Sequence, residues 1–133
     1  MSDTPPAAVL CWFEIPVADL ERAQRFYQTV LDCTFTLEPA ATGDSKVTLA
    51  MFGSKTDERP PICGCLIAGT PLQPSTGGTV IYFNVGPDLA LPLERAVAAG
   101  GTVLVPKTAI GPYGFFAHIL DSEGNRIGLH SLT

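Results

Sequence analysis

Positive charge is scarce in this chain of 133 residues: eight Lys and Arg stand against thirteen Asp and Glu, for a net charge of -5. Those eight are scattered rather than gathered into a stripe, which speaks against a surface built for phosphate or nucleic acid. Long apolar runs are missing too, and nothing approaches the roughly 18 consecutive apolar residues of a membrane span. Met1 to Ala8 has two prolines, one acid and no basic run ahead of an apolar stretch. It lacks the layout of a secretory signal and reads as a loose tail on a soluble cytoplasmic protein.

Catalytic signatures are equally sparse. Gly77-Gly78 and Gly100-Gly101 are turns and caps without the spacing of a phosphate-cradling loop. Ser45, Ser54, Ser75, Ser122 and Ser131 lie in turns or tails, with no nucleophile elbow around any of them. The four cysteines, Cys11, Cys33, Cys63 and Cys65, read as reduced thiols when no secretory signal precedes them. Cys63-Gly64-Cys65 sets two thiols on one face of a strand, which would chelate a soft metal only if His or more Cys converged on them. Small buried side chains are the plainer explanation.

What the chain does contain is a repeat. Phe13 to Leu20 (FEIPVADL) and Tyr82 to Leu89 (YFNVGPDL) both run from a strand-like segment into a helical pattern, each opening one half of the sequence. In the first half, Val9 to Val17 predicts a strand and Asp19 an N-cap. Ala23, Phe26, Tyr27, Val30 and Leu31 then form one stripe of an amphipathic helix over residues 19–31, with Glu21, Arg22, Arg25 and Gln28 opposite. Strands follow at 35–38, 46–52 and 62–67, with the Lys55 to Pro61 run between the last two read as a solvated loop.

Ala68 to Gly78, rich in Gly, Pro, Thr and Ser, is the connector between halves. The second half repeats the order: a strand at 79–85, a helix at 88–99 that tolerates Pro92 in its first turn and ends at Gly100-Gly101, then strands at 102–106, 115–120 and 126–129. Asp121 to Asn125 is a tight turn. The expectation is a single α+β domain of two βαβββ modules, residues 8–68 and 79–133, with a 46% apolar composition able to supply their common core. A cleft between them is expected.

Two stretches carry a family resemblance. One is Phe13-Glu14-Ile15-Pro16-Val17-Ala18-Asp19-Leu20-Glu21-Arg22-Ala23 with Phe26-Tyr27 and Leu31; the other runs from Phe116 through His118, Asp121-Ser122-Glu123-Gly124-Asn125 and Arg126 to His130. Together they resemble the glyoxalase/bleomycin resistance protein/dioxygenase superfamily, also called the vicinal oxygen chelate superfamily, and most of all its small glyoxalase-like members. The resemblance implies an eight-stranded, cup-shaped mixed sheet, commonly completed by a homodimer, with a small-molecule pocket inside the cup. In metal-dependent members, His and Glu from the first and last strands of each module hold an ion that polarises vicinal oxygens on the substrate.

At the positions that match, this sequence departs from the pattern. Trp12 stands seven residues before Asp19 where the family has His, Val80 stands five before Val85, and Gly128 replaces the final-strand Glu. None of the three side chains ligates a metal. The fourth position, near Cys63 or Cys65, does not by itself hold the usual ion. The resemblance therefore implies the fold and the pocket without metal or cofactor, and disfavours glyoxalase I and extradiol dioxygenase activity.

Alternation along the strands places Trp12 with Glu14, Val80 with Tyr82 and Asn84, and Arg126 with Gly128 and His130, while His118 and Phe116 share a face of the penultimate strand. Three uses of such a cup stay open. It holds a small organic ligand against Trp12, Tyr82, Asn84, Phe116, Arg126 and His130, an acidic protein favouring a cationic one. Alternatively, Glu14 and His118 act as an acid and base pair in a metal-independent lyase or isomerase working on a carbonyl compound, with Tyr82 or Asn84 donating to its oxygen. Third, the same groups are only a buried polar network and aromatic core in a structural dimer. His130 is placed at the rim or at a dimer contact, and Tyr113 in a lid loop.

Overall fold

A computed structural model describes residues 10, 12–40, 43–53 and 63–133. Cys11, the tail through Ala8 and the Lys55 to Pro61 run lie outside the described residues. Each half folds as βαβββ: β1 Trp12–Pro16, α1 Leu20–Leu31, β2 Thr34–Pro39, β3 Thr48–Gly53 and β4 Cys63–Ala68, then β5 Tyr82–Asn84, α2 Ala90–Ala98, β6 Thr102–Ala109, β7 Phe115–Leu120 and β8 Arg126–Ser131. A short 3-10 turn, Gly111–Tyr113, lies between β6 and β7.

The eight strands divide into two four-stranded sheets, ordered β1-β4-β3-β2 and β5-β8-β7-β6. In each, the first strand of the module runs parallel to the last and the other pairs are antiparallel. Strand β5 is shorter than the sequence suggests, three residues rather than seven. Strand β6 is longer and passes through Pro106, which the edge position and the register shifts between Val103 and Thr108 accommodate. Among the described residues no helix is long and apolar enough to cross a membrane.

Helix α1 forms where its pattern predicts. Asp19 is extended and its carboxylate accepts from the Arg22 amide at 3.0 Å, while Ala23, Phe26, Tyr27 and Val30 are buried. Helix α2 has no side-chain cap at Leu89; instead Asp88 accepts from the Ala90 amide at 2.9 Å and from Lys107 Nζ at 2.8 Å.

The core belongs to both modules. Tyr27 packs edge-on against Phe52 of the first half and at a tilt against Phe83 of the second, at centroid distances of 5.7 and 5.8 Å, and Phe13 meets Phe83 at 5.9 Å. The Tyr27 hydroxyl donates to the buried Asp121 carboxylate at 2.6 Å. Asn125, also buried, donates through Nδ2 to the Pro16 carbonyl at 2.9 Å and accepts from the Ser75 amide. The segment 121–125 is thus a turn, as expected, and also a clamp on the other module.

Glu123 completes the clamp by taking up the N-terminus of α1. Its carboxylate accepts from the amides of Ala18 at 3.0 Å and Asp19 at 2.8 Å and from the Arg22 guanidinium at 2.7 and 2.9 Å. Burial opposes its charge, but Arg22, the Asp19 amide and Ser122 outweigh burial and bring its pKa down from 4.5 to about 2.

Candidate functional site

Side chains that point away from the core on the second sheet follow from its register. Tyr82 and His118 both pair with Gly128, while Asn84 and Phe116 both pair with His130, so these six residues occupy two adjacent rows on one face. The opposite face, with Phe83, Ala117, Ile119, Ile127 and Leu129, joins the core. Tyr82 is 51% exposed, and on the first sheet Trp12 is 40% exposed.

Gly128 gives the face its shape. The Tyr82 ring lies directly over it, so that any Cβ at 128 would overlap ring atoms Cγ, Cδ2 and Cε2. From this seat the Tyr82 hydroxyl reaches His118 Nε2 at 2.6 Å. Arg126 Nη1 lies 3.0 Å from the other ring nitrogen, Nδ1, and Arg126 Nε donates to the Thr76 carbonyl at 3.0 Å. Burial, and then the Arg126 charge, push the His118 pKa below its ordinary 6.5.

His130 makes a different contact: its Nε2 donates to the Tyr113 main-chain carbonyl at 2.6 Å. That bond ties the 111–113 turn to the sheet and leaves Tyr113, 72% exposed, at the mouth of a cavity of about 380 Å³ lined by Tyr82, Ile110, Tyr113, Phe116 and His130. Its walls are mainly apolar. A larger groove, about 920 Å³, runs between the first strands of the two modules, with Leu10, Trp12, Glu14, Tyr82 and Asn84 among its lining residues. Tyr82 belongs to both.

Glu14 shares its strand face with Trp12, whose indole Nε1 donates to Glu14 Oε2 at 3.3 Å. The expected acid and base pair is thus distributed over two sheets: Glu14 is held by Trp12, whereas both nitrogens of His118 are engaged by Tyr82 and Arg126. The seat at Gly128 and the bond from His130 to the 111–113 turn were missed by sequence reasoning. A glycine inside the apolar strand Arg126–Ser131 was the available signal for the first.

The residues do not fit the metal that the resemblance associates with this fold. Trp12 offers an indole N–H, Val80 a hydrocarbon, and Gly128 no side chain at all, under the ring of Tyr82. Cys65, paired with Glu14 across β1 and β4, has its thiol pushed up to about 11, first by burial and then by the Glu14 charge. Among the described residues no three His, Cys, Asp or Glu side chains converge.

A family model described as bleomycin resistance protein-like N-terminal matches residues 10–35. No curated protein matches the chain. Among solved structures, it is similar to a mutant glyoxalase I from Zea mays (TM-score 0.71, 23% identity), covering 91% of this chain and 45% of that one. The chain thus spans about half the length of that relative. TnmS3, an antibiotic binding protein from Streptomyces sp. CB03234, aligns at TM-score 0.69 and 22% identity over 98% of this chain and all of its own. FosX, the genomically encoded fosfomycin resistance protein from Listeria monocytogenes, aligns at 0.66 and 17% over 97% and 94%. The chain has the vicinal oxygen chelate fold that its sequence resembles.

Proposed function

We propose that this protein binds a small organic molecule with a flat, apolar body in a pocket that works without a metal. The observation that carries this reading is the pair of cavities meeting at Tyr82, walled by aromatic side chains that a β-sheet face displays to solvent instead of burying. The antibiotic-binding and antibiotic-resistance proteins of the same fold support it. Asn84 and the groups around His118 supply the few polar contacts that orient a ligand.

The test is a calorimetric titration of the purified chain with planar drugs and reactive carbonyl compounds. Binding is expected, and Trp12→Ala or Tyr82→Ala should weaken it about tenfold or more, the consequence of losing one aromatic wall. Uptake of close to one nickel, zinc, iron or manganese ion per chain with a rise in Tm would overturn the metal-free part.

One observation favours the alternative of a metal-independent lyase or isomerase: Glu14 and Tyr82 line the same groove. In that case Glu14→Gln or His118→Asn abolishes turnover of a carbonyl compound while the ligand is retained.

We also propose a homodimer in the cytoplasm, the second copy covering the groove. Exposed Leu10, Trp12 and Tyr82 along it are the support. Sedimentation should give twice the chain mass, and Leu10→Asp with Trp12→Asp should give the monomer; a native monomer would refute the assembly.

A further inference from the structure

The hydrogen-bond directions around His118 follow from chemistry alone. A guanidinium has donors and no acceptor, so Arg126 Nη1, 3.0 Å from Nδ1, requires a lone pair on that nitrogen. A neutral imidazole then carries its single proton on Nε2. Nε2 lies 2.6 Å from the Tyr82 oxygen and donates to it. The hydroxyl hydrogen of Tyr82 has no role left within the trio and must be given elsewhere. Tyr82 stands where the two cavities meet, half exposed, with the apolar walls of Ile110, Tyr113 and Phe116 around the smaller one. His130, the imidazole that lines that cavity, is already donating to the Tyr113 carbonyl.

We propose that Tyr82 is a committed hydrogen-bond donor to the ligand, oriented by the Arg126–His118 pair, and that the site selects uncharged, flat molecules bearing a ketone or quinone oxygen. This rests on the binding reading above and narrows it. Arg126 and His118 are positioning residues: they fix which way the Tyr82 proton points, and Gly128 supplies the seat that lets the ring reach them. The Arg126 charge behind the row also works against a cation at this point, contrary to the ligand that the acidic composition suggests. A depressed His118 pKa keeps the ring neutral and the relay intact at neutral pH.

Two measurements on the whole chain decide it. In the ¹⁵N-labelled protein at neutral pH, with His118→Asn to identify its signals, His118 should be the Nε2–H tautomer; an Nδ1–H tautomer overturns the assignment. In calorimetry, fluorenone should bind about fivefold or more tightly than fluorene, which differs only in having CH2 for C=O, the ratio that one hydrogen bond gives. That preference should vanish in Tyr82→Phe, shrink in Arg126→Gln and return in Arg126→Lys. Equal affinities in the native chain, or a preference that survives Tyr82→Phe, overturn this proposal while leaving a binding pocket in place. Binding of neither compound overturns the pocket itself, and this proposal with it.

Discussion

Replacing Glu123 by glutamine is expected to destabilise the fold by about 2–3 kcal/mol at neutral pH. The carboxylate terminates the first helix, accepts from two amides and pairs with Arg22, all from a fully buried side chain. A fall in pKa from 4.5 to about 2 corresponds to about 3 kcal/mol, reduced somewhat because Arg22 is half exposed and its charge is screened. Because the folded-state pKa is the lower one, this stabilisation is complete above pH 4.5 and is lost as pH falls from there through about 2. Urea melts at a series of pH values should therefore show a steep acid limb in the native chain and a flatter one in Glu123→Gln, starting from a lower plateau. Parallel limbs would mean that Glu123 carries no such coupling.

A second large effect is expected at Gly114, where the structure separates two costs that a glycine can hide. Its φ is 98° and ψ -127°, and a Cβ there would overlap the main-chain oxygen of Ser131, which cannot swing aside as a side-chain tip does. Gly124 also has positive φ, 88°, but open space around it. Gly124→Ala should cost about 1 kcal/mol, the conformational penalty alone. Gly114→Ala should cost about 3 kcal/mol or more, because strain and overlap add and β8 has to shift. Similar losses in chemical denaturation would contradict the main-chain overlap. The same substitution should disturb the cavity, since Gly114 follows the turn that His130 holds in place.

Much of this was legible in the sequence where the determinants are local. Asp19 as a cap and the stripe of Ala23, Phe26, Tyr27 and Val30 need only helical geometry, and alternation sufficed to put Trp12 with Glu14 and Arg126 with His130. The departures are long-range. Glu123 reads as one more turn residue because its partners in the first module lie 101 to 105 positions away. Strand β5 ends up three residues long because in-register pairing with β8 covers Tyr82 to Asn84, with single main-chain bonds from Gly128 to Ile81 and from Val85 to His130 closing its ends. Pro106 looks like a strand end until β6 proves to be an edge. At the candidate site the face was readable, but the hydrogen-bond order was not. Glu14 and His118 share a predicted cup, yet which group each one meets depends on how Tyr82 settles on Gly128, and periodicity holds no information about that.

The clamp at 121–125 also has a bearing on the order of events during synthesis. While only the first module has left the ribosome, α1 lacks the carboxylate that terminates it, and Tyr27 lacks both its hydroxyl partner and Phe83. The early half is thus held short of its final packing until residues 121–125 arrive, and an apolar surface including Phe13 and Phe52 stays open in the meantime. For this chain, the slow and aggregation-exposed interval belongs to the waiting first half.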